Sequence, residues 1–106
     1  MTTFTRNDKF NNSGSHLQFR LPDLTEKQVV GLFGRASPGY DDPDKGYGSK
    51  YVFVRDDLPN HPVTLYDRWG MWRVGALERD DAEEFVAWLS AKLGAVTLDV
   101  ESAPVY

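Results

Sequence analysis

From Tyr51 to Val74 the chain holds three short β-forming runs, and the breaks between them are too short for a parallel crossover. Tyr51–Arg55 is strongly β-forming, and a turn carrying Asp56, Asp57, Pro59, Asn60 and Pro62 follows it. Val63-Thr64-Leu65-Tyr66 then puts Val63 and Leu65 on one face. After a tight reversal at Arg68-Trp69-Gly70, Trp72 and Val74 point one way, with Met71 and Arg73 the other. Parallel neighbours need a crossover of a dozen or more residues, so these segments predict an antiparallel meander.

Two helical patterns flank the meander. Thr25 with Gln28 three residues later forms a capping box, Leu24 and Val29 are spaced as a hydrophobic staple, and Gly34 ends the helix. The second helix carries Ala82, Phe85, Val86, Leu89 and Leu93 on one stripe. Asp80 is its predicted N-cap, with Glu83 three residues on, and Gly94 its stop. Leu17 and Phe19 alternate with Gln18 and Arg20 before Pro22, and Val96–Val100 alternates again. The expected fold class is α+β. It comprises an antiparallel or mixed sheet of about five strands with two helices on one face, in the order β-α-β-β-β-α-β.

With 106 residues the chain holds one domain, read as 16–106 preceded by a polar tail at 1–15. The tail's large apolar groups are Phe4 and Phe10, which dock on its own domain or on a sister subunit. The absence of cysteine removes disulfides, thiolate nucleophiles and cysteine-bound metals. Met1–Phe10 has no apolar stretch of the signal-peptide kind, and no apolar run is of membrane-spanning length. A cytoplasmic location with no membrane contact is expected. The net charge of −4, with no clustering of Lys and Arg, argues against direct nucleic-acid binding.

Residues 35–49, RASPGYDDPDKGYGS, carry two prolines, three glycines and three aspartates, and read as a long loop. Counted from Asp42 as an EF-hand loop, position six is Tyr47 and position twelve Phe53, so the pattern fails and no metal site is expected. Gly46-Tyr47-Gly48-Ser49-Lys50 lacks the spacing and the following helix of a phosphate-binding loop. His16 and His61 are the only histidines, and no serine is placed as a nucleophile beside one. An enzyme is therefore not expected, nor a cofactor. The Tyr, Gly, Ser and Asp of the loop are instead the chemistry of adaptable binding loops. Tyr40, Asp41, Asp42, Asp44 and Tyr47 are its candidate contacts. Trp72 reads as core. Trp69 at a hairpin tip and Trp88 on the shoulder of the helix stripe are candidate exposed anchors.

The segments Thr64-Leu65-Tyr66-Asp67 and Trp72-Arg73-Val74-Gly75, behind a Gly/Asp-rich loop at 39–50, resemble a pattern in small bacteriophage accessory proteins. In that pattern a TxYD strand precedes a W-x-[IV]-G strand; the likeness covers roughly residues 30–93, and Ala76 replaces a second glycine the pattern often has. The resemblance implies an accessory protein that binds a host macromolecule in the host cytoplasm, and carries over no catalytic residue. The leading expectation is a non-catalytic protein that binds a host protein. One alternative is an assembly component that forms a homo-oligomer through its N-terminal tail. The other is an acidic inhibitor of a nucleic-acid enzyme, built on Glu78, Asp80, Asp81, Glu83 and Glu84.

Overall fold

The computed structural model describes residues 2–94 and 99–102. Its elements are β1 (Phe4–Arg6), β2 (His16–Leu21), α1 (Glu26–Phe33), β3 (Tyr47–Arg55), β4 (Pro62–Arg68), β5 (Met71–Ala76), α2 (Arg79–Leu93) and β6 (Glu101–Ser102). The strands form one six-stranded antiparallel sheet in the order β1-β3-β4-β5-β2-β6, so the fold is α+β. The meander β3-β4-β5 is its centre. Tyr51 pairs with Leu65 and Leu65 with Val74, which places the three apolar rows on one face.

Both helices lie on that face. The Thr25 hydroxyl accepts the Gln28 N–H (3.2 Å) and Gln28 Oε1 accepts the Thr25 N–H (2.9 Å), so the predicted capping box forms. Behind it, Leu24 and Val29 are buried with Phe85, Leu89 and the sheet residues in a single core. The aromatic centre of this core joins β1, α1 and α2 to Phe53 of β3. Phe4 of β1 meets Phe85 edge-on at 5.2 Å, and Phe33 of α1 stacks on Trp88 of α2 at 5.9 Å. Such pairs add about 0.5–1.5 kcal/mol beyond their area burial.

The structure departs from the sequence expectation in four places. Composition makes residues 1–15 a tail, yet Phe4–Arg6 is a sixth strand on the edge of the sheet, because burying Phe4 against Phe85 and Trp88 draws the chain in. Strand β3 starts at Tyr47, four residues before Tyr51, because backbone bonds between Asp42 and Tyr47 and a register shift before Lys50 fold the end of the loop into the sheet. Helix α2 is capped at Glu78 without a side-chain bond, since Asp80 turns instead toward Arg55. Of the expected strand Val96–Val100, residues 95–98 lie outside the described residues, Asp99 and Val100 are not in a strand, and pairing with β2 begins at Glu101.

The strand order dictates one further feature. β1 lies beside β3 and β2 beside β5, so residues 7–15 must pass across the meander on one of its faces. The helices occupy one face, and Asn12 and Ser15 line a cavity on the other with Thr64, Tyr66 and Gly75. Residues 7–15 are thus a strap over the helix-free face. The strap is fastened at its start by Asp8, which accepts hydrogen bonds from Arg6 Nη2 (2.7 Å), the Ser37 hydroxyl (2.6 Å) and the Val52 N–H (3.0 Å). Burial alone would push this carboxyl up; the three donors outweigh it and bring Asp8 down to about 2. At the strap's far end, a Cβ on Gly75 would stand 2.7 Å from Thr64 Oγ1 of the neighbouring strand, so glycine here leaves room for the Thr64 side chain.

Candidate binding face

Alternation decides which side chains the helix-free face presents. Val63 and Leu65 face the core, so Thr64, Tyr66 and Arg68 face away. The same holds for Arg73 against Trp72 and Val74, and for Lys50 against Tyr51. Beyond the strap, this face carries a continuous ladder of rings and cations. The Tyr40 and Tyr47 rings lie 5.0 Å apart, and Tyr40 meets Tyr66 edge-on at 6.4 Å. The Arg68 guanidinium sits 4.8 Å above Tyr47, and the Lys50 ammonium 5.2 Å above Tyr40. Burial, with the neighbouring phenols of Tyr66 and Tyr47, pushes the Tyr40 hydroxyl up to about 12, and burial raises Tyr66 as well. Among the described residues Lys50, Arg68 and Arg73 form no salt bridge.

Next to Arg68 in the chain, at the β4–β5 turn, stands Trp69. Trp69 and Gly70 are the two residues of the β4–β5 hairpin loop, with φ of 54° and 76°. Two central residues of positive φ match the backbone twist of a hairpin, and Asn-Gly is the pair that normally supplies them. Here a tryptophan takes the asparagine position, at about 1–2 kcal/mol of steric cost for a side chain with a Cβ. The Asp67 carboxylate accepts the Gly70 N–H (3.2 Å), and the Trp69 N–H donates to the Gly46 carbonyl (2.7 Å). A Cβ on Gly46 would stand 2.2 Å from the indole, so one edge of the ring rests on bare backbone. The rest is in solvent, with Trp69 66% exposed.

Of the four aromatic candidates, Tyr40 and Tyr47 meet on this face, and Trp69 stands exposed at the adjoining hairpin tip. Trp88 does neither. It is 8% exposed and walled in by Phe4, Phe33, Phe53 and Phe85, because β1 and the end of α1 close over the helix shoulder. Asp42 caps a single 3₁₀ turn at Pro43–Lys45 by accepting the Asp44 N–H (3.2 Å), while Asp41 and Asp44 are exposed. Among the described residues these three carboxylates do not converge as a ligand set.

A second polar cluster escaped the sequence reading. Asp81 is 1% exposed and accepts from Arg55 Nη1 (2.9 Å), while its other oxygen lies 2.9 Å from His61 Nδ1. Arg55 also reaches Asp57 and Asp80. These bonds, that to Asp57 first, hold the Arg55 pKa above its ordinary value against the opposing effect of burial. His61, Glu78 and Asp81 each offer a ligand atom within 4.8 Å of the others. Asp81 is already committed to a buried guanidinium, however, and a divalent cation there would sit against that positive charge. The pair also has the imidazole–carboxylate half of a hydrolytic triad, but no nucleophilic side chain hydrogen-bonds His61 among the described residues. The cluster therefore ties α2 to the β3–β4 turn. Because Arg55 pairs with Asp80 and Asp81, the acidic start of α2 is not an unopposed negative row.

No family model, curated protein or solved structure matches the chain. Of the two clusters, the ladder presents cations without a carboxylate partner among the described residues, whereas Asp81 and Arg55 are buried in their own ion pairs.

Proposed function

We propose that this is a non-catalytic binding protein that docks on a partner protein through its helix-free sheet face. Trp69 is the central anchor, Tyr47 and Tyr40 extend the contact, and Arg68 and Lys50 supply charge. The observation that carries this reading is the tryptophan in the left-handed position of the β4–β5 hairpin. Packing does not account for it, since two-thirds of the residue is exposed. Local folding does not account for it either, since asparagine serves that turn better. Strain kept against local preference marks sites where the side chain has work outside the fold. Trp, Tyr and Arg are also the residues that dominate binding energy at protein interfaces. The resemblance to bacteriophage accessory proteins makes a host-cell protein the expected partner.

Affinity capture from bacterial lysate, with the wild-type chain and Trp69→Asn side by side, tests the proposal. The expected result is one stoichiometric protein that survives nuclease and is lost with Trp69→Asn. Equal capture by the variant, or capture abolished by nuclease, overturns it.

A further inference from the structure

Where the strap approaches the aromatic ladder, the helix-free face holds a cavity of about 200 Å³. At about 30 Å³ per water, it has room for a phosphate or carboxylate with part of the group that bears it. Strap residues Asn12, Ser15 and His16 make one wall, and Tyr40, Lys50 and Tyr66 the other. Gly75 forms part of the floor, where any Cβ would crowd Thr64.

The chemistry of this lining is one-sided. It contains a lysine, hydroxyls and amide or imidazole N–H groups, and no acidic side chain. The Lys50 ammonium is fixed over the Tyr40 ring and has no carboxylate partner among the described residues. The buried Ser15 hydroxyl likewise has no hydrogen-bond partner among the described residues, and an orphaned buried donor calls for an explanation. Asp8 lines the adjoining depression with Lys50, but its oxygens are taken by Arg6, Ser37 and the Val52 N–H.

We infer that this cavity is an oxyanion site, in which Lys50 supplies the charge and Ser15 a directed hydrogen bond to a phosphate or carboxylate group of the ligand. If the docking proposed above holds, the group belongs to the partner, and the site explains how a protein of net charge −4 favours an acidic segment on this one face. The inference takes its place in function from that reading, but its test does not depend on the partner.

The experiment is an NMR titration of the full free chain with inorganic phosphate, phenyl phosphate and benzoate, with phenol as the uncharged control. Saturable shifts at the Ser15, His16, Tyr66 and Gly75 amides are expected with the anions and not with phenol. Lys50→Gln should weaken binding about tenfold, in the range for loss of a charge-assisted hydrogen bond. Ser15→Ala should weaken binding without lowering the melting temperature, since its hydroxyl makes no bond among the described residues. Tighter binding of phenyl phosphate assigns the site to phosphate esters, and tighter binding of benzoate to carboxylates. Three results overturn the inference: no saturation with any anion, equal affinity in Lys50→Gln, or shifts that follow phenol as strongly as benzoate. Failure here with intact capture by Trp69 would leave the docking reading standing, and the reverse would leave the site standing.

Discussion

The two faces of the sheet are built on opposite rules. On the helix side, Phe4, Phe33, Phe53, Phe85 and Trp88 interlock ring against ring, with Lys92 over the outer face of Trp88. On the strap side, Tyr40, Tyr47 and Tyr66 alternate with Lys50 and Arg68, and Trp69 at the neighbouring hairpin tip is left in water. The same residue class thus serves stability on one face and availability on the other. Burial separates the two uses: an aromatic whose surroundings are complete contributes to folding, and one whose surroundings are half solvent is free to complete them with another molecule.

Substitutions can break this contrast, and the largest effect should come from the helix side. Phe85→Ala removes a fully buried ring and is expected to cost about 3–5 kcal/mol in urea denaturation. A cost near 1 would mean the face is loosely packed and the contrast false. Asp81→Asn strips the buried Arg55 of its closest carboxylate, and a loss of about 3 kcal/mol is expected. A neutral outcome would show that Asp57 and Asp80 suffice.

Asp8 lies between the faces, and its effect should be intermediate. Asp8→Ala leaves Arg6, Ser37 and the Val52 N–H without their acceptor and is expected to cost about 2 kcal/mol at neutral pH. Its sign with pH is fixed, because the folded carboxyl titrates at about 2, below its unfolded value of 3.8. The stabilisation is complete above the unfolded value and drains away as pH falls from 3.8 toward 2. Acid titrations of wild type and Asp8→Ala should therefore converge at the acid end, and parallel curves would rule out the strap's fastening. The smallest effect on stability belongs to Trp69→Asn, within about 1 kcal/mol of wild type, as relief of turn strain offsets lost contact with Gly46. A loss of several kcal/mol would move Trp69 into the structural class.

Much of the helix face was legible in the sequence. The alternation of Val63, Leu65, Trp72 and Val74, and the Thr25–Gln28 box, are local signals that the tertiary structure keeps. Alternation also contained the other face, for if Leu65 and Val74 point inward, Tyr66, Arg68 and Arg73 point outward together. What periodicity could not give was long-range pairing. Phe4 looks like a stray residue in a polar stretch until β3 lies beside it, and Trp88 looks half-exposed until Phe4 and Phe33 cover it. Asp81 beside Asp80 reads as a hydrated helix start, and only the approach of Arg55 and His61 makes it a buried ion pair.

The strap also sets an order of events in synthesis. Phe4 finds its partner at Arg55 and His16 at Ala76, so both early strands wait for residues made much later. The meander, with its near-neighbour hairpins, can close first, and contacts of large sequence separation are the slow ones. Strands β1 and β2 are made before the meander yet are laid down after it, and the ladder face is finished only when the strap crosses it. Pulse-labelled hydrogen exchange during refolding should protect the amides of Leu65 and Val74 before those of Phe4 and Arg6; simultaneous protection would mean the sheet closes in one step.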